Sequence, residues 1–263
     1  MPFPNLSTPW VVEAMITSQN HIHKIVYKSK YHDLGAISVS DYEKVPMGAF
    51  QLEFIGMDED PHAVVNAIQN YKVNGRKYVI DSFHSLPSAK KIKEQYSEYG
   101  YELIRTGPIL GYEIPHPVRG ETLMVKKIET KEELDKVNMA LYLENENVPI
   151  ETLKDPYVHN FYAEWNGKVA GWVQLITVYP DTGYINQLYT MADYRKKLVG
   201  TSLTARTHVE CAKLGISRIA LASSDMALGL YRRFGYRPLA YFTVLQLKEN
   251  SLPSSSDAVT VPL

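Results

Sequence analysis

The chain has 263 residues, 45% hydrophobic and 22% charged, with a formal net charge of −1. That length is generous for one small core and enough for two. A nearly neutral chain also excludes a global field drawing it to nucleic acid or an anionic membrane.

The one cysteine, Cys211, cannot build a disulfide framework or a cysteine zinc site, and it fits a reducing, cytoplasmic location. The opening MPFPNLSTPW lacks the basic-then-apolar pattern of a secretory signal, and no apolar run approaches membrane-spanning length. Of the eight histidines, His21 and His23 flank Ile22 on a predicted strand and share a face, but no third metal ligand accompanies them.

In chain order, 48–56 (GAFQLEFIG) reads as a strand. A helix is expected over 61–71, with Pro61 near its start and Val64, Ala67, Ile68 and Tyr71 at helical spacing. Strand 77–83 and a helix over 88–99 closed by Gly100 follow. Residues 101–114 read as a strand pair or one long broken strand, and PHPVRG at 115–120 as a linker. Beyond it come strand 122–128 and helix 131–143, with Thr130 and Glu133 spaced as a capping box. Strands 161–165 and 168–178 flank Asn166-Gly167, the strongest hairpin signal in the chain. Strand 184–190, helix 200–214, strand 217–222, helix 225–234 closed by Gly235 and strand 236–247 complete the pattern. The tail from 251 to 263 is Pro/Ser-rich and expected to be flexible. YSEYGY at 96–101 and YRRFGY at 231–236 match each other, and both duplication and coincidence in a chain with 19 tyrosines remain open.

The basic run YRKKLVGTSL at 194–203 lies between a strand and a helix. Helix N-termini expose unpaired amides and partial positive charge, so phosphate placed there gains hydrogen bonds that Arg195, Lys196 and Lys197 could reinforce. Gly200 would allow close backbone approach. By composition alone the run reads equally as a solvated bend.

Residues 122–247 resemble the GNAT superfamily of acyl-CoA-dependent N-acyltransferases. LYTMADYRKKLVG at 188–200 sits on that family's strand–Arg/Gln-x-x-Gly-x-Gly/Ala–helix motif, with Arg195 first, Gly200 last and Leu198 in place of the first glycine. ALGLYRRFGY at 227–236 matches its second motif, and Ser224 stands where the family often has Asn.

The resemblance implies an α/β (α+β) fold with a mixed, mostly antiparallel sheet flanked by helices, and acetyl-CoA as co-substrate. Backbone groups of Leu188, Tyr189 and Thr190 would bond the pantetheine arm, which requires this strand to splay from its neighbour. Amides from Lys196 through Leu198, Val199, Gly200 and Thr201 would hold the pyrophosphate. Ser224, Ala227 and Tyr231 would line the far side, with the Tyr231 hydroxyl near the thioester sulfur as catalytic acid. A phenol stays protonated at neutral pH and can donate to a departing thiolate. From spacing alone Tyr231 is a core residue, because Leu228, Leu230, Tyr231 and Phe234 form an apolar helix face.

No carboxylate occupies the central strand TGYINQLYT, where many relatives carry the base; Glu164, Asp181 and His159 are the substitutes nearby in sequence. Asp58, Glu59 and Asp60 stand where a first-half cradle would need cations, and would repel a pyrophosphate. The expected organisation is a degenerate GNAT-like unit at 1–116 that shapes the acceptor cleft, a GNAT unit at 117–250 and the tail. The expected function is acetyl transfer to a primary amine of a small molecule or peptide, without metal, nucleic acid or membrane, with a homodimer left open. The alternative is a non-catalytic acyl-CoA-binding or protein-interaction domain.

Overall fold

A computed structural model describes residues 9–35, 37–45, 49–57, 60–84, 89–114 and 122–248. The expected linker at 115–120, Asp58, Glu59 and the tail lie outside these. The first element is a helix, α1 (Trp10–Tyr27), where a strand was expected around His21 and His23. Val11, Val12, Met15, Ile16 and Ile22 are buried along one side, a helical stripe that the His-Ile-His triplet alone cannot reveal. No glycine or proline interrupts it, and Lys28 ends it in the left-handed region at φ 55°.

Then come β1 (Lys30–Asp33), β2 (Ser38–Asp41), β3 (Leu52–Met57), α2 (Pro61–Asn70), β4 (Tyr78–His84), α3 (Ala89–Ser97) and β5 (Tyr101–Glu113). Residues 101–113 thus form one strand rather than a pair. The second half carries β6 (Val125–Lys127), α4 (Lys131–Leu141), β7 (Val158–Trp165), β8 (Lys168–Tyr179), β9 (Thr182–Thr190), α5 (Val199–Lys213), β10 (Arg218–Ala222), α6 (Asp225–Phe234) and β11 (Arg237–Leu247). Helix α4 begins with the expected capping box: the Glu133 amide donates to Thr130 Oγ1 at 3.2 Å and the Thr130 amide to Glu133 Oε2 at 3.1 Å. Asn166 and Gly167 turn between β7 and β8 with φ of 49° and 76°, as a tight hairpin requires.

Among the described residues, eleven strands form one sheet in the order β1-β2-β3-β4-β11-β5-β10-β9-β8-β7-β6. Only β3–β4 and β9–β10 pair in parallel; the other pairings are antiparallel. The run β3-α2-β4-α3-β5 repeats as β9-α5-β10-α6-β11, and each run's last strand crosses to the other half: β11 inserts between β4 and β5, and β5 between β11 and β10. The repeated tyrosine motifs occupy equivalent places. Tyr96 and Tyr231 are buried on their helices, Gly100 and Gly235 turn at φ 82° and 98°, and Tyr101 and Tyr236 follow. The rings meet edge to face in both copies, at 6.0 Å and 5.4 Å. Equivalent packing at equivalent positions favours duplication over coincidence.

Helices α1 and α4 cover one face of the sheet, and α2, α3, α5 and α6 the other. Among the described residues no helix is long and apolar enough to cross a membrane. Gly171 on β8 marks a close approach: a Cβ there would lie 2.4 Å from the Tyr189 carbonyl oxygen and 3.0 Å from Val199 Cγ1. Gly171→Ala therefore pushes β9 and the start of α5 outward. We expect a loss of about 1–3 kcal/mol, read as a lower urea midpoint with unchanged slope.

Candidate functional site

Strands β9 and β10 pair only from Thr182–Arg218 to Ile185–Leu221. At that point β9 carries a bulge. Its pairing with β8 steps from Leu175–Ile185 to Gln174–Gln187, which leaves Asn186 as the extra residue. A bulge bends its strand, so residues 186–190 follow β8 and leave β10. The backbone edge at Leu188, Tyr189 and Thr190 is thereby unpaired on its β10 side. The corresponding pair in the first half stays closed, with β3 and β4 in register over six pairs, Leu52–Tyr78 to Met57–Phe83.

The wedge opens into a cleft of about 570 Å³. Ile185–Leu188 line one side and Ala222–Asp225, Ala227 and Tyr231 the other. Residues of α1 and β5, among them Gln19, His23, Tyr27 and Arg105, close it from the first half.

Past the wedge, residues 192–194 make one 3₁₀ turn and α5 begins at Val199. Leu198 is its N-cap and provides no side-chain cap. The amides of Val199, Gly200 and Thr201 therefore have no partner within the helix and are open to an anion. Gly200 faces the wedge: a Cβ there would lie 3.2 Å from Leu230, 3.5 Å from Thr190 Oγ1 and 3.7 Å from Leu188.

The three cations differ in direction. Arg195 Nε reaches back to the Thr190 carbonyl at 3.5 Å, and Lys197 lies over the Tyr194 and Trp165 rings at 5.4 and 5.7 Å. Lys196 has no side-chain partner among the described residues. Lys196 and Leu198 both hold φ 63°. Leu198 is 52% exposed and is not part of the cleft lining, so it departs from the motif in backbone energy rather than by filling the wedge. A left-handed leucine costs roughly 1–2 kcal/mol. Leu198→Gly should raise stability by about 1 kcal/mol in urea unfolding, partly offset by the entropy glycine gains in the unfolded chain.

Helix α6 starts at Ser224, whose hydroxyl makes no cap while its carbonyl accepts from the Ala227 and Leu228 amides at 3.1 Å. Two turns further, Tyr231 is 4% exposed, with its ring packed on Tyr236. Its hydroxyl has no hydrogen-bond partner among the described residues and is not sealed from the cleft. Burial pushes the phenol well above its ordinary pKa, so it stays protonated. The core and functional readings of Tyr231 are therefore compatible: the ring fills the core and the oxygen reaches the cleft.

Residues 124–236 match the model of the acetyltransferase (GNAT) family. This part of the chain is a GNAT domain. No curated protein sequence matches the chain. Among solved structures, a GCN5-related N-acetyltransferase from Kribbella flavida is 14% identical, with 89% of this chain and 95% of that one covered at a TM-score of 0.64. A functionally unknown conserved protein from Staphylococcus epidermidis is 12% identical, with 85% and 96% covered at 0.58. A GCN5-related N-acetyltransferase from Sphaerobacter thermophilus is 12% identical, with 80% and 76% covered at 0.54. These likenesses extend the fold over both halves, so the first half is GNAT-like in fold.

Within the GNAT domain, the three substitutes for a base lie apart from the cleft lining. Glu164 is held by Lys136 at 2.6 Å and Lys126 at 3.0 Å, and the first of these bonds is the main reason its pKa is lowered. His159 bonds Thr177 Oγ1 at 3.2 Å, and burial lowers its pKa. Asp181 is exposed in the β8–β9 turn at φ 51°. Leu188, Ser224, Ala227 and Tyr231 line the cleft, and beside them stand Asn186 and Arg105, to which the sequence reading assigned no role.

Asn186, the bulge residue, heads a chain of buried amides. Its Nδ2 donates to Gln174 Oε1 (2.9 Å), Gln174 Nε2 donates to Asn160 Oδ1 (3.0 Å), and Asn160 Nδ2 donates to Thr152 Oγ1 (2.8 Å). The Thr152 hydroxyl donates to the Pro149 carbonyl at 2.7 Å. A carbonyl can only accept, so the Thr152 proton is committed and every amide upstream is fixed in turn. The chain leaves Asn186 Oδ1 as the open acceptor. No local sequence signal links these four residues, which span three strands and a turn.

Proposed function

We propose that the chain transfers an acetyl group from acetyl-CoA to a primary amine of a small molecule or peptide. The observation that carries this reading is the wedge: an unpaired β9 edge at 188–190 converges with the uncapped start of α5 and the unpartnered Tyr231 hydroxyl. These features fit the cofactor. Leu188, Tyr189 and Thr190 would pair with its pantetheine arm as an added strand, and the 196–201 amides, with Arg195, Lys196 and Lys197 near them, would hold its pyrophosphate. Ser224 and Ala227 would wall the other side. When bound, acetyl-CoA supplies the acetyl thioester. Tyr231 would give its proton to the departing sulfur, and Asn186 Oδ1 is placed to accept from the incoming amine.

The closed β3–β4 pair supports a first half that binds no cofactor and instead walls the cleft with α1 and β5. We take the chain as two GNAT-like units, 1–116 and 117–250, that exchange their last strands, in a cytoplasmic enzyme.

Titration calorimetry with acetyl-CoA tests the reading. One-site binding is expected, weakened about tenfold by Lys196→Glu, which is about 1.4 kcal/mol. A heatless titration at millimolar cofactor overturns it. Binding without thiol release from any member of an amine panel would leave only the non-catalytic acyl-CoA-binding alternative.

A further inference from the structure

A second constellation meets the cleft from the first half. His23 of α1 lines the cleft, and its side chain is 18% exposed. Its Nδ1 lies 2.8 Å from the hydroxyl of Tyr42, just past β2. That hydroxyl donates its proton to Glu53 Oε2 of β3 in a short hydrogen bond. Glu53 in turn shares a hydrogen bond with Asp81 of β4.

The protons of this array can be assigned. Asp81 is buried, the Glu53 side chain is 14% exposed, and two carboxyl groups sharing a hydrogen bond there cannot both ionise. Asp81 is pushed far above the usual carboxylate range by burial and by its neighbour Glu53. Against its own burial, Glu53 is kept below that range by His23 when that ring is protonated and by bonds from Asp81 and Tyr42, which persist when it is neutral. Asp81 thus carries the proton and Glu53 the charge. A carboxylate only accepts, so Tyr42 spends its single proton on Glu53, and its oxygen must accept from His23 Nδ1–H. The imidazole is therefore the Nδ1–H tautomer, with its lone pair on Nε2. Nε2 has no partner among the described residues.

We propose that His23 is the catalytic base that takes the proton of the acceptor amine, held in that tautomer by Tyr42 and Glu53. This rests on the acetyl-transfer reading above. The amine enters neutral. As its nitrogen bonds to the acetyl carbon it loses its basicity, and the imidazole becomes the stronger base. The balance is one C–N bond formed and one C–S bond broken. One proton passes from nitrogen to His23 Nε2 and one from Tyr231 to sulfur, and solvent then restores both residues.

The groups facing His23 are Tyr27 on its own helix, Tyr42, Glu53, Asp81 and, across the cleft, Arg105 of β5. Burial lowers the His23 pKa more than Glu53 raises it, so the ring is neutral and ready to accept at neutral pH. Activity should therefore be present above the His23 pKa and lost as pH falls through it, below the ordinary histidine value.

The experiment uses the full chain and the best acceptor from the amine panel. His23→Gln should lower kcat about 100-fold and abolish the acid limb of kcat/KM. Acetyl-CoA affinity should stay within about twofold, and added imidazole should restore part of the rate to His23→Ala. Unchanged kcat and an unchanged acid limb in His23→Gln would overturn the base while leaving acetyl transfer intact. If His23→Gln does not fold, Tyr42→Phe decides: the acid limb must move to lower pH, and an unmoved limb overturns the proposal. A wild-type chain that acetylates nothing removes the underlying reading, and the base with it.

Discussion

Replacing Tyr231 by phenylalanine lowers kcat about 100-fold or more while leaving acetyl-CoA affinity within about twofold, the scale of a positioned general acid. The geometry predicts the split. The ring stays in the core against Tyr236, because phenylalanine keeps its volume and edge-to-face contact. The hydroxyl has no partner among the described residues, so its loss strands no buried donor or acceptor and stability should change little. What disappears is one proton donor at the wedge. Burial that raises the phenol's pKa also disfavours a bare thiolate leaving into the same surroundings, so proton transfer to sulfur remains matched. Stopped-flow thiol release and calorimetry on the same preparation separate the terms. Equal losses of kcat and affinity would make Tyr231 a packing residue only, and an unchanged kcat would move the acid elsewhere.

The GNAT half of the chain was largely legible because its punctuation is local. Asn166-Gly167, Gly215 and Gly235 all take positive φ at the turns their positions imply, and the Thr130–Glu133 box closes over three residues. What remained hidden depends on distant partners. Helix α1 carries its signal in a stripe from Val11 to Ile22, which a triplet of residues cannot display. The splay of β9 rests on a bulge at Asn186, whose amide chain runs back to Thr152. The exchange of β5 and β11 has no local cause: each strand reads as an ordinary last strand of its own half, and only the assembled sheet places it in the other. The same holds for His23, whose partners Tyr42 and Glu53 lie 19 and 30 residues away and explain its chemistry only once α1 packs on the sheet.

Gly200→Glu should weaken acetyl-CoA at least about 100-fold, which is about 2.7 kcal/mol. Three effects add at this one position. A Cβ alone is nearly accommodated, since its nearest neighbour is the flexible end of Leu230 at 3.2 Å. The rest of the side chain must then extend toward Leu188 and Thr190, over the strand edge the pantetheine arm would use. Its carboxylate also competes with phosphate for the free amides of Val199, Gly200 and Thr201, and repels it. The fold should survive, because an acid in the first turn suits the helix and the residue sits at an open edge. Gly200→Ala separates the terms. It adds the Cβ without charge or reach, so it should keep affinity within about fivefold, or about 1 kcal/mol. If alanine were as damaging as glutamate, backbone freedom would be the requirement at this position. If glutamate bound acetyl-CoA as well as glycine does, the pyrophosphate would not sit at the start of α5, and the wedge would have to hold its ligand from β9 alone.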